Sequence, residues 1–214
     1  MSAVRPPAAP SLPQPLSLFP LNLVLFPGAV LGLRVFEARY LDLVSACLKA
    51  GSAFGVVCLK KGNDTTRSAT KVDFETVGVL ARIEDVDAEQ TGILRVRCSG
   101  HSRFRLVGAP WQRDDGLWQS AAESIADDPP RMPGPAMLQT VNALAEAIRK
   151  LQQLDKVPFA EPYRLDDAGW VANRWCELLP VPLTAKQKLM ELADPVIRLS
   201  IVDGYLRDKK VVLG

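Results

Sequence analysis

Histidine is almost missing from this 214-residue chain: His101 is the only one. The four cysteines, at 47, 58, 98 and 176, fall at neither CxxC nor metal-ligand spacing, which removes the common zinc and dithiol frameworks. Each sits among apolar neighbours and reads as a reduced core thiol, which places the chain in the cytoplasm. No GxxxxGK[ST] phosphate loop occurs anywhere. The most apolar stretch, residues 18–44, is cut by Pro20 and Pro27 and carries Arg34, Glu37, Arg39 and Asp42. Such a run cannot cross a membrane as a helix. The opening MSAVRPPAAPSLPQPL lacks the apolar segment of a secretion signal. A net charge of +2 is too small to argue for a polyanionic partner.

What is present is an ordinary globular composition, 48% hydrophobic and 23% charged. The proline-rich residues 1–15 read as a disordered tail. The stretch DDPPRMPGP, residues 127–135, reads as a linker between a β-domain at 16–126 and a helical domain at 136–214. Before it, FGVVCLK (54–60), TVGVLARI (76–83), GILRVRC (92–98) and RFRLV (103–107) alternate in the manner of strands. Asp115-Gly116 marks a hairpin turn. DTTRSATK (64–71) reads as a polar loop bordering a groove.

After the linker the period becomes helical. Val141, Leu144, Ile148 and Leu151 predict a helix over about 136–154. A second starts after Asp166 or Asp167, packs Val171, Trp175 and Leu178, and stops before Pro180. In TAKQ (184–187) Thr184 and Gln187 suggest a capping box. Asp194-Pro195 opens a last helix that packs through Ile197, Ile201 and Tyr205.

Phe19-Pro20 and Phe26-Pro27 bracket LNLVLF as a strand, since a residue before proline is held extended. Pro27-Gly28 fits a type II turn. AVLGLRVF follows as a second strand with Leu31, Leu33 and Val35 on one face, and Gly32 suggests a bulge or a close backbone approach. Tyr40, Leu41, Val44 and Leu48 then lie on one face of a helix ending at Gly51. Arg34, Glu37 and Arg39 form a charged corner, read first as a structural clamp, with Arg39 and Tyr40 as candidate binding residues.

His101 lies beside Ser99 and Ser102 at the tip of an expected hairpin, an exposed place that cannot orient a nucleophile and its base. A three-residue loop at 100–102 pairs Cys98 with Phe104 and Val96 with Leu106. That register collects Arg95, Arg97, Arg103 and Arg105 on the opposite face, where neighbouring acids or an anionic ligand must offset them.

The residues LFPLNLVLFPGAVLGLRVFEARYLDLV, followed by FGVVCL, VGVLARI, GILRVRCSGHSRFRL and LPVPLTAKQKLMEL, resemble the N-terminal substrate-recognition domain of Lon proteases. The similarity covers about residues 16–206, with Gly32 and Ala38 where that family often has proline. It implies an α+β fold, a PUA-like β-barrel or sheet with one helix and then a helical bundle. It implies a non-enzymatic module that binds exposed apolar or extended segments of unfolded proteins, without cofactor, metal or membrane. Because the chain ends at Gly214 with no ATPase or peptidase sequence, the resemblance is to relatives made of the recognition domain alone, and a separate protease or ATPase is admitted as a second partner. The alternative is RNA binding, which some PUA-like proteins perform, through the Arg95/Arg97/Arg103/Arg105 face.

Overall fold

The computed structural model describes residues 12–61, 72–154 and 158–212. The expected tail lies outside these residues up to Ser11, and the polar loop at 64–71 lies wholly outside them. From Leu12 onward the chain is engaged: Leu12 packs on a small core, and the Gln14 amide donates to the Ala122 carbonyl. Leu12 and Gln14, expected within the tail, are therefore packed and hydrogen-bonded.

In chain order the elements are β1 (Leu16–Leu21), β2 (Val30–Val35), α1 (Ala38–Ala50), β3 (Phe54–Lys61), β4 (Asp73–Phe74), β5 (Val77–Gln90), β6 (Ile93–Gln112) and β7 (Trp118–Ser124). A 3₁₀ turn at Pro135–Met137 leads into α2 (Leu138–Gln153), followed by α3 (Ala168–Leu178), α4 (Leu183–Glu191) and α5 (Pro195–Asp208). The fold is α+β. Strands run in the order β1-β7-β6-β5-β3, and a parallel β3–β1 pair closes them into a ring. All other pairings in the ring are antiparallel. The short β4 adds to β3, and β2 adds to the first half of β6.

Alternation along these strands makes two cores. Leu16, Leu18, Val57, Leu80, Phe104 and Leu106 fill the inside of the ring. Phe104 reaches its place because Gly55 and Gly78 leave room: a Cβ on either would lie 2.7 or 2.6 Å from its ring. The opposite strand faces join Phe26, Tyr40, Val79, Val141, Leu144, Trp175, Met190 and Leu199 in one larger core, shared by sheet and helices.

The Phe-Pro stretch departs from its expected form. The strand is β1, which ends at Leu21, and Val24, Leu25 and Phe26 are buried without joining a ladder. A residue before proline is extended, but an extended residue need not be paired. Pro20 is accepted inside β1 because β7 pairs only with residues 16–18, so no ladder bond to β7 is demanded at Pro20. The type II turn forms as expected, with Ala29 N–H donating to Phe26 O at 3.1 Å and Gly28 at φ 76°.

Gly32 makes neither a bulge nor a close approach. The β2–β6 register runs unbroken from Val30 to Val35, and a Cβ on Gly32 would meet open space. The glycine that does permit close approach is Gly100. A Cβ there would lie 2.4 Å from Phe26 O, and the backbone exchanges bonds with the turn, Gly28 N–H to Gly100 O and Gly100 N–H to Ala29 O, both 2.8 Å. Gly100 is thus no hairpin tip, and ILRVRCSGHSRFRLV lies in one continuous strand.

In α1 the buried face is Tyr40, Leu43, Val44 and Cys47, and Leu48 is exposed. Gly51 ends the helix in the left-handed region. Asp167 caps α3 by accepting from Trp170 N–H, and Asp194 caps α5 by accepting from Val196 and Ile197 N–H. The TAKQ capping box is absent: α4 begins two residues earlier, with Pro182 at its N-cap, and Gln187 is buried, donating to Val77 O and Glu191.

Candidate functional site

Arg39 and Tyr40 are building elements of a corner. The Arg39 guanidinium donates to Glu37 at 2.8 and 3.2 Å and to Gly116 O at 2.9 Å, and it covers the Tyr40 ring at 4.7 Å. Tyr40 is buried and stacks on Phe19 with ring centroids 3.9 Å apart. Together they tie α1 to β1 and to the β6–β7 turn. Arg34 takes no part and pairs with Glu89 at 3.2 Å.

The four arginines of β6 do not share a face. Between Arg103 and Gly100, β6 advances three residues while its partner β5 advances two, from Val79 to Ala81. This bulge at His101-Ser102 inverts the alternation beyond it. Arg95 and Arg97 therefore point away from the large core, opposite Asp87 and Asp85, whereas Arg103 lies opposite buried Val79. Arg105 is exposed near Glu123 at 3.9 Å, and Arg95 shares Glu89 with Arg34. The single arginine patch nominated for RNA is dispersed, and the RNA reading is without support.

Arg103 is instead one half of a buried clamp. Its guanidinium meets Asp128 at 2.8 Å and donates to Met190 O, Leu192 O and Ala126 O. Arg198, also buried, meets the same carboxylate at 2.5 Å and donates to Asn173 Oδ1, Leu189 O and Leu192 O. Two arginines thus share one aspartate and satisfy the carbonyls left over at the end of α4. Burial pulls the Arg103 pKa down, opposed by Asp128. Nothing in the sequence paired Arg103 with Asp128, which stood in an expected linker. A third buried arginine, Arg174 of α3, holds the Pro27-Gly28 turn through both carbonyls at 2.9 and 2.6 Å and pairs with Glu177. Burial raises the Glu177 carboxyl to about 7 in spite of Arg174.

His101 is exposed, with Nε2 3.0 Å from Ser99 Oγ. The Ser99 hydroxyl donates to Glu84 at 2.5 Å, so its proton is directed to a carboxylate rather than to the imidazole. This order does not make a serine nucleophile, for which the imidazole must take the proton. The cysteines are free and buried, and burial lifts Cys98 and Cys176 to about 12, which leaves them protonated and unreactive near neutrality.

The helical layer carries a different feature. The α5 face that enters the core is Leu199, Val202 and Leu206 with Arg198 and Asp203. Ile197 and Ile201, expected inside, turn the other way and are 52% and 50% exposed, whereas Tyr205 is half-buried and packs against the core as expected. The competing demand came from Arg198, whose clamp to Asp128 fixes the rotation of the helix. Beside this stripe opens an apolar groove of about 420 Å³, lined by Leu179 and Val181, by Ala185, Lys188, Leu189 and Leu192 of α4 and its end, and by Ile201, Val202 and Tyr205 of α5. Lys188 is its one charged lining residue. Among the described residues no helix is long and apolar enough to cross a membrane.

Comparison with known proteins bears on this geometry. The profile of the ATP-dependent protease La (LON) substrate-binding domain matches residues 15–208, nearly the whole chain. The chain belongs to the Lon substrate-binding domain family. A Lon N-terminal domain protein from Xanthomonas campestris, solved as a crystal structure, is 33% identical with a TM-score of 0.69 over 89% of this chain and 97% of that one. The N-terminal domain of the Mycobacterium avium complex Lon protease, 16% identical, shares the fold at a TM-score of 0.57 over 90% of this chain and 98% of that one. The Lon protease of Paraburkholderia phytofirmans is 31% identical over 88% of this chain. The chain spans about 24% of that relative's length. What it matches in the Lon family is the substrate-binding domain rather than a catalytic one.

Proposed function

We propose that the chain is a protein-recognition module that takes up exposed apolar segments of other polypeptides in the α4–α5 groove. The observation that carries this reading is the groove itself: about 420 Å³, almost wholly apolar in lining, and continued by Ile201 onto the exposed Ile197. That volume falls within the range of ligand clefts, about 300–1,000 Å³. It is large enough for a few aliphatic or aromatic side chains, each of which gains roughly 1.5–3 kcal/mol on leaving water. Groove binding of this kind is driven by burial and shape and asks for no covalent step. The relatives are named proteases, so we further propose that binding serves a protease's choice of substrate.

Fluorescence anisotropy with a labelled, permanently unfolded polypeptide tests the reading. Wild-type protein should bind it, and Ile201→Asp should weaken binding by about tenfold or more, since a carboxylate in an apolar groove must be desolvated. Equal binding by both proteins would remove the groove from the function.

A further inference from the structure

We infer that the segment this groove takes is acidic at its flanks as well as apolar at its centre. The inference rests on the recognition reading above and adds to it the chemistry of the ligand. The charged groups around the groove carry it. Lys188 lies in the lining, and Lys209, following the last turn of α5, sets its ammonium 5.7 Å from the ring of Tyr205, another lining residue. Both lysines are exposed, Lys188 on the α4 wall and Lys209 just past the end of α5 beside Tyr205.

The acids of the same two elements are mostly engaged elsewhere. Asp203 accepts from Thr140 and pairs with Arg207 at 2.7 Å, and Glu191 accepts from Gln187. Glu177, on α3, is half-buried and pairs with Arg174. On α4 and at the end of α5, Lys186, Lys188, Lys209 and Lys210 stand against Glu191 and Asp208 in the exposed or half-exposed set. With exposed Asp194 counted as well, these segments keep a small lysine excess, and Lys188 in the lining and Lys209 beside Tyr205 put positive charge next to the groove, although the whole chain is nearly neutral at +2. A lysine at the rim of an apolar cleft covers it with its methylene stem and keeps its charge in water. A ligand carboxylate beside an apolar anchor meets that charge, whereas a ligand lysine is repelled. The same rule counts against a second copy of this chain as occupant, because its own exposed Ile197–Ile201 stripe would bring Lys188 and Lys209 toward their equivalents.

Three synthetic fluorescent peptides test this, sharing one core of leucine and phenylalanine and flanked by aspartate, by serine or by lysine. Each is titrated by anisotropy against wild type, the double variant Lys188→Glu/Lys209→Glu, and Ile201→Asp, at low and high salt. The expected result is a preference of about three- to tenfold for the aspartate-flanked over the lysine-flanked peptide at low salt, the size of a few exposed ion pairs. The preference should shrink at high salt and reverse in the double variant. Equal affinity for all three peptides, with Ile201→Asp still abolishing binding, would overturn the acidic preference and leave groove recognition standing. No binding by any peptide, with wild type dimeric and Ile201→Asp monomeric in sedimentation, would overturn both and assign the groove to self-association.

Discussion

Gly78 stands where a side chain has no room: a Cβ would lie 2.3 Å from Val56 O and 2.6 Å from the Phe104 ring. Because one of those neighbours is backbone, the ring cannot yield by a rotamer change alone. Gly78→Ala should therefore lower stability by about 1–3 kcal/mol, the usual cost of overpacking, read as a drop in the urea midpoint. Gly32→Ala, facing open space on β2, should leave that midpoint nearly unchanged. Glu177 makes a second prediction at this scale. In the unfolded chain it ionises near 4.5, and burial in the fold raises it to about 7. Across that window the folded chain holds a proton that the unfolded chain has lost, so stability falls as pH rises through it, by up to about 3 kcal/mol. Urea unfolding between pH 5 and 8 should show this decline, and Glu177→Gln should flatten it.

At the scale of elements, the clamp of Arg103, Asp128 and Arg198 joins β6, the segment after β7, the end of α4 and α5. Asp128→Ala leaves two buried guanidinium groups facing each other without their shared carboxylate. Removing one partner of a buried ionic cluster costs about 3–5 kcal/mol, and that loss is expected in denaturant titration. Arg103→Lys should recover little of an Arg103→Ala loss, since one ammonium cannot reach four acceptors arranged for a fork. The same clamp explains where the sequence was readable and where it was not. Asp194 was legible as a cap, and the start of α3 was legible to within Asp166 or Asp167, because capping is local. Gly28 was legible because the type II turn needs its positive φ. Ile197 and Ile201 were misplaced because helical spacing marks an apolar stripe without saying which of two stripes is buried, and a distant aspartate decided it. The hairpin at Gly100 was misread for a related reason: glycine serves both turns and close backbone approach, and the contact with Phe26 is seventy-odd residues away.

Across the whole molecule, a ring of strands with its own small core supports a second core shared with five helices, and the groove opens on the helical side. The resemblance carried by residues 18–44 identified the family, but those residues build the support and do not line the groove. The lining comes from residues 179–205, the part whose pattern said least about its own exposure. Because Ile201 is exposed, Ile201→Asp should bind poorly yet unfold at nearly the wild-type urea midpoint, which separates recognition from stability. The most direct test of the central claim is amide hydrogen exchange of the protein with and without a bound unfolded polypeptide. Protection confined to Leu189–Leu192 and Ile201–Tyr205 is the predicted result. Protection confined to the strands of the ring, with α4 and α5 exchanging as in the free protein, would contradict it.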